Sequence, residues 1–373
     1  MTGPGGTGPA VESLSVCVCT VPTDAPGGDA TLTWDSTTMV LVQARSAGVC
    51  GLGWTYGAAA GAGVVSDLLA PVVTGRDAWD VPGANEAMSR AVRNAGRPGL
   101  VAGAISAVDI ALWDLKARLL DLPLVRLLGA ARAEVPVYGS GGLTTYGARH
   151  TERQLRGWTE DQGFGRVKIK IGESWGRCPD HDLERVRRAR RVIGDGCELY
   201  VDANGGYGAK QAIRMADRFA DQGVLWFEEP VSSDDLAGLR RVRDAVAPDV
   251  AAGEYGYDLR YLARMAASGG VDCLQADVTR CGGITVWLKA AAVAESLGLE
   301  ISGHCAPHAH AHVCAAVPNL RHLEWFHDHV RIEERFFEGA LDPSGGAVTP
   351  GASGAPGLGL TLRTEHIGDG WSG

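Results

Sequence analysis

From residue 135 to 325 the chain alternates between two patterns. Short apolar runs end in a polar or ionisable side chain, and longer stretches carry apolar residues three and four apart. The short runs fall at 135–140, 167–172, 198–204, 224–230, 250–255, 273–277, 299–304 and 321–325. Helical patterns lie between them at 181–193, 210–222, 234–246, 259–268, 284–297 and 309–317. Eight strands with intervening helices predict a parallel (β/α) barrel rather than an open sheet. No helix is expected after the eighth strand.

The first third of the chain follows a different pattern. Strand-like runs at 13–20, 37–44 and 51–56 precede helical stretches at 85–95 and 102–120, the latter with a wide apolar stripe. The intervening segment 21–35, with Pro22, Pro26 and the pair Gly27-Gly28, is expected to be a mobile loop. The chain therefore divides into a disordered tail (1–11), an α+β unit (12–130), the barrel (131–330) and a segment returning to the N-terminal unit (331–373).

Composition changes this picture little. The 373 residues are 45% hydrophobic and 21% charged, as in a soluble globular enzyme. A net charge of −9 and the lack of a basic stripe argue against nucleic acid as a partner. No run of about 18 apolar residues is present, so no membrane span is expected. Nine cysteines without a metal-like spacing suggest free thiols in a reducing cytoplasm. Cys17 and Cys19, on one strand face, are expected to pack rather than bind metal.

The second barrel strand reverses the usual logic of an alternating strand. Val167, Ile169 and Ile171 face one side and Lys168 and Lys170 the other. Inside a barrel, two ammonium groups cost several kcal/mol unless carboxylates or an anion compensate them. On a surface strand they would simply be solvated. The following strands favour the interior, because the C-terminal strand ends of such barrels build the active site.

Asp202, Glu228 and Glu254 end three consecutive strands, with Asn204 two residues beyond the first. Each alone is an ordinary helix cap. Together, three converging carboxylates require a cation, and an all-oxygen set suits Mg²⁺. Asp277 and His304 end the sixth and seventh strands, where the carboxylate can hold Nδ1–H and present Nε2 as base or acid. Glu324 ends the eighth. His308, His310 and His312 offer a zinc alternative, but are expected on the next helix.

With these residues in place, the chain resembles the mandelate racemase subgroup of the enolase superfamily over nearly its whole length. The subgroup's Lys-x-Lys motif corresponds to Lys168-Ile169-Lys170, its metal carboxylates to Asp202, Glu228 and Glu254, its Asp-His dyad to Asp277 and His304, and its last-strand glutamate to Glu324. A muconate-lactonising-type member would carry a lysine where Asp277 stands.

The resemblance implies a (β/α)₇β TIM-like barrel with an N-terminal α+β capping domain completed by the C-terminal tail. It also implies Mg²⁺ and a small-molecule carboxylate substrate that loses its α-proton. Lys168 is expected to contact that carboxylate and to lower the pKa of Lys170. Glu324, protonated, would donate a hydrogen bond to it. Dehydration of an acid sugar to a 2-keto-3-deoxy acid is the favoured outcome, and racemisation or epimerisation of a 2-hydroxy acid the alternative. A non-catalytic barrel would be expected to lack a base or a ligand, and none is missing. Trp34, Trp54 and Tyr56, in cap segments 23–34 and 54–63, are candidate substrate contacts together with Asn204. A cytoplasmic homo-oligomer is expected.

Overall fold

The structure, a computed structural model, describes residues 8–367 and 371. Strands β1 (Ser13–Gly28), β2 (Thr33–Ser46) and β3 (Val49–Tyr56) form an antiparallel sheet in that order. The helix Leu100–Leu119 lies against it so closely that a Cβ on Gly53 would stand 2.2 Å from the Ala107 carbonyl. Glycine is required there by the approach of two backbones.

The loop expected at 21–35 is instead an extension of the β1–β2 hairpin. Gly27 and Gly28 pair with Trp34 and Thr33 beyond a break in register after Pro22. The prolines are tolerated because β1 is an edge strand, where a missing N–H need not cost a ladder bond. Asp29 caps the tip by accepting the amides of Thr31 (2.6 Å) and Leu32 (2.8 Å). Of the tail expected at 1–11, residues 1–7 lie outside the described residues. Beyond them the chain is anchored: Gly8 N–H donates to Asp77 and Val11 is buried.

Eight parallel strands make the barrel in sequence order: β4 (Val135–Gly141), β5 (Arg166–Lys170), β6 (Glu198–Asp202), β7 (Val224–Glu228), β8 (Asp249–Ala252), β9 (Cys273–Ala276), β10 (Glu300–Gly303) and β11 (Leu320–Phe326). Pairing of β11 with β4 closes it. Val167, Ile169, Leu199, Val201 and Phe227 belong to the large core shared with the surrounding helices. Tyr138, Tyr200, Trp226, Ala251 and Cys273 form a separate cluster. In the register, Tyr200 lies beside Lys168, and Lys170, Asp202 and Glu228 stand side by side one layer further along. The lysines therefore face the barrel interior above an aromatic plug.

A helix, His327–Phe336, does follow the eighth strand, contrary to expectation. The C-terminal segment then returns to the cap. Leu358 N–H donates to buried Asp114 (2.6 Å), whose other oxygen accepts Leu52 N–H (2.7 Å), and Arg118 donates to Leu360 O (2.6 Å). Asp114 thus joins the cap sheet, the cap helix and the C-terminus. Among the described residues no helix is long and apolar enough to cross a membrane.

Candidate active site

Lys168 is fully buried, with its ammonium 2.5 Å from Glu228 Oε1, 2.8 Å from Glu324 Oε1 and 3.7 Å from Asp202 Oδ2. Burial alone would push it down, but these carboxylates outweigh that and hold it well above the usual ammonium range. Lys170 donates to Asp202 Oδ2. Burial pushes Lys170 down and Lys168 adds to this, as expected from sequence, yet Asp202 with Glu254 and Glu228 reverses the sign and raises it. Glu324, expected protonated, is held below the usual carboxylate range: burial opposes this, but Lys168 and His304 prevail.

Asp202, Glu228 and Glu254 each offer an oxygen within 4.8 Å of the others, and all three are buried. Glu228 Oε2 accepts from Trp226 Nε1 (2.8 Å) and Gln275 Nε2 (3.1 Å), which fixes the carboxylate in the middle of the set. Glu254 Oε2 is buried 3.2 Å from His304 Nε2, and Oε1 lies 3.2 Å from Arg280. Among the described residues, six buried carboxylates crowd the mouth: these three with Glu229, Asp277 and Glu324. Lys168, Lys170, Arg280 and a protonated His304 face them, fewer cations than carboxylates, and burial with this crowding pushes Glu228 up to about 8 and Glu229 well above the usual carboxylate range. That carboxylate crowding and the all-oxygen donor set fit one divalent cation of the Mg²⁺ type.

His304 Nδ1 lies 2.9 Å from Asp277 Oδ2, which fixes its tautomer and turns Nε2 into the mouth. Asp277 is itself held by the Thr279 amide (2.6 Å) and hydroxyl (2.7 Å). Burial would lower His304, but Cys305, Glu254, Glu324 and Asp277 hold it well above the usual imidazole range.

The zinc alternative fails on geometry. His308 Nδ1 meets Glu333 (2.5 Å), His310 Nε2 accepts Val278 N–H (2.8 Å), and His312 Nδ1 accepts Val125 N–H (3.1 Å). Each histidine serves a different neighbour, and among the described residues none joins a metal-like cluster.

The four substrate-contact candidates separate. Asn204 lines a cavity of about 540 Å³ at the mouth, with Glu229, Trp175, Tyr255, Tyr257, Tyr261 and the hairpin tip residue Thr31. Trp54 is not at the site: it is fully buried, its Nε1 donates to Glu333 (3.0 Å) and its ring packs on Phe337. Tyr56 donates to the same carboxylate (3.1 Å) and stacks on His329, although its edge reaches a smaller cavity beside Arg280. Trp34 lies against Gly27 in the hairpin and lines none of the described cavities. Trp54 and Tyr56 share one face of β3 and tie the cap to the helix after β11.

Sequence reasoning missed several residues. Glu229 and Cys305 reach the interior because the chain turns through positive φ there (37° and 53°), which side-chain alternation does not signal. Arg185 clamps the strand ends, donating to Lys170 O (3.2 Å), Gly142 O (2.5 Å) and Leu143 O (2.7 Å). Its position on an ordinary charged helix gave no signal. Trp175 follows Ser174 in a left-handed turn (φ 60° and 55°) just after Lys170, and its N–H donates to Ala30 O of the hairpin (2.9 Å).

Comparison with known proteins places this arrangement. The profile described as "Mandelate racemase / muconate lactonizing enzyme, N-terminal domain" matches residues 13–129, and that described as "Enolase C-terminal domain-like" matches 150–366. L-talarate/galactarate dehydratase from Salmonella typhimurium is 31% identical over 336 residues, covering 86% of this chain and 83% of that protein. Its structure with Mg and L-lyxarohydroxamate superposes with a TM-score of 0.87 at 28% identity, covering 96% and 92% of the two chains. 3,6-Anhydro-alpha-L-galactonate cycloisomerase from Streptomyces coelicolor is 34% identical over 342 residues, 87% of this chain and 88% of that protein. A mandelate racemase/muconate lactonizing enzyme-like protein from Rubrobacter xylanophilus is 51% identical, with a TM-score of 0.93 over 98% of this chain and 100% of that one.

Proposed function

Since the chain belongs to the mandelate racemase/muconate lactonizing enzyme family of the enolase superfamily, we propose that it removes the proton α to a substrate carboxylate and dehydrates an acid sugar to a 2-keto-3-deoxy acid. The observation that carries this reading is the buried charge pattern. Three carboxylates able to hold a divalent cation lie at the ends of the third and fourth strands and just after the fifth, with Lys170 on the second and His304 after the seventh on either side.

In this reading Asp202, Glu228 and Glu254 hold Mg²⁺, which when bound supplies Lewis-acid stabilisation of the substrate carboxylate. With a cation held there, Asp202, Glu228 and Glu254 would offset less of the downward push that burial and Lys168 exert on Lys170. Lys168 provides a fixed positive charge for the carboxylate as it becomes an ene-diolate. Glu324, ionised beside Lys168 and held by Ser140 Oγ (2.5 Å), keeps that ammonium in place against the substrate carboxylate. Lys170 or His304 accepts the α-proton. For dehydration, protonated His304 delivers its proton to the departing β-hydroxyl, water leaves, and the enol tautomerises to the 2-keto acid. Asn204, whose buried Oδ1 has no partner, accepts from a substrate hydroxyl.

Relatives named as dehydratases of talarate/galactarate and arabinonate support the acid-sugar choice. The presence of two candidate bases supports the second reading, racemisation or epimerisation of a 2-hydroxy acid. Incubation of the Mg²⁺-loaded protein with mono- and diacid sugars distinguishes them. A 2-keto product establishes dehydration, and an inverted α-centre without water loss replaces it with the second reading. We also propose a cytoplasmic location, which nine unpaired cysteines suit, and a homo-oligomeric state, to be read by light scattering.

A further inference from the structure

Cys305 has no part in the proton transfers above, yet it lies at their centre. The chain enters left-handed conformation at two successive non-glycine residues, Cys305 (φ 53°) and Ala306 (φ 38°). Backbone strain of this kind costs about 1–3 kcal/mol per residue and persists where the surroundings impose it. Its result is to fold the thiol back over the preceding imidazole. Cys305 Sγ stands 3.3 Å from His304 Nε2 and 3.3 Å from Glu324 Oε2, and those two atoms are 3.6 Å apart. All three residues are at most 4% exposed.

Those edges are within about 0.3 Å of a tetrahedral Zn²⁺ site with Zn–S of about 2.3 Å and Zn–N and Zn–O of about 2.0 Å. The supporting contacts are also those of a metal site. Asp277 holds His304 Nδ1, which orients the Nε2 lone pair as carboxylates do behind metal-bound histidines. Glu324 is fixed by Ser140 and Lys168 on one oxygen and by the Cys305 amide (3.1 Å) on the other. Glu254 Oε2 lies 3.2 Å from the same imidazole nitrogen, on the side of the oxygen triad.

We propose that His304, Cys305 and Glu324 form a second cation site, specific for a borderline-soft divalent ion such as Zn²⁺, and that its occupation shuts off proton transfer at His304. The two sites divide by ligand hardness. The oxygen triad takes Mg²⁺, whereas thiolate and imidazole select Zn²⁺ or Co²⁺. Binding replaces the thiol proton and the Nε2 proton of the imidazolium, so two protons are released per ion. It also occupies the Nε2 lone pair that the reaction needs.

Co²⁺ is the probe, added to the full-length protein under saturating Mg²⁺. A sulfur-to-cobalt charge-transfer absorption should rise to saturation at one equivalent, vanish in Cys305→Ser and persist in Asp202→Asn. X-ray absorption of wild type with one Zn²⁺ and excess Mg²⁺ needs no variant and should show one sulfur scatterer. Turnover should fall more than tenfold at that stoichiometry, with no relief from further Mg²⁺. No sulfur scatterer, an undiminished band in Cys305→Ser, or loss of the band in Asp202→Asn would each overturn the site. The absorption and scattering readouts need no substrate, so they stand whether or not the proposed dehydration does.

Discussion

Lys168 on the second barrel strand and Glu324 on the eighth meet 2.8 Å apart across the intervening first strand, both wholly buried. The ammonium is shared with Glu228, so one cation keeps two carboxylates from facing each other uncompensated. Lys168→Met should therefore be costly. Breaking a buried ion pair from one side costs about 3–5 kcal/mol, and loss of a preorganised charge at the reacting carboxylate costs about 10²–10³-fold in kcat. Denaturant melts with and without Mg²⁺ check the first figure, and added Mg²⁺ should restore part of the lost stability. A variant as stable and active as wild type would remove Lys168 from the account.

The crowding of buried carboxylates at the mouth makes Mg²⁺ a stabilising ligand. At a concentration 100 times its Kd, a cation bound only by the folded state adds about 2.7 kcal/mol. Calorimetric scans should show Tm rising with Mg²⁺ in wild type and hardly at all in Asp202→Asn or Glu254→Gln. An equal rise in all three would place the ion elsewhere.

His312 predicts an acid limit. Burial lowers its pKa to about 4 from the ordinary 6.5, outweighing the hydrogen bond from Nε2 to Leu358 O (3.2 Å), while Nδ1 accepts the Val125 amide. The unfolded chain takes up a proton below about 6.5 while the folded one does not. Stability is thus full above that pH and is lost as pH falls towards 4, by up to about 3 kcal/mol. His312→Gln should flatten that part of a stability–pH profile. A profile unchanged by the substitution would contradict the assignment.

Trp175 is 61% exposed, yet it is held in a left-handed turn at the cavity beside Tyr255, Tyr257 and Tyr261. An aromatic contact of about 1 kcal/mol that is equal in ground and transition states alters KM alone. Trp175→Ala should raise KM about 5–10-fold and leave kcat within about twofold. A large fall in kcat with constant KM would instead tie Trp175 to the chemistry.

Much of the site was legible because period-two alternation fixes which strand residues share a face. Lys168 and Lys170 share a face by alternation alone, and the acids at the following strand ends turned that face inward. What was not legible depended on local turns and distant partners. Glu229 and Cys305 point inward only because the backbone takes positive φ at each. The segment with Pro22 and Pro26 suggested a loop, yet an edge strand accepts prolines. Trp54 and Tyr56 looked like substrate contacts until Glu333, nearly 280 residues away in sequence, proved to be the acceptor for both. The histidines of 308–312 suggested a metal, but a helix turns His308 and His310 about 200° apart, and each meets its own neighbour.

The central claim is that Lys170 and His304 exchange a proton with the carbon next to a substrate carboxylate. It is tested most directly by NMR of acid sugars incubated in D₂O with the Mg²⁺-loaded enzyme, its Lys170→Ala variant and its His304→Asn variant. The account predicts deuterium entering at the α-carbon or the adjacent carbon of the 2-keto product with wild type, and severe loss of overall turnover in both variants. Wild-type turnover in both, or no exchange by wild type with any acid of a broad panel, would contradict it.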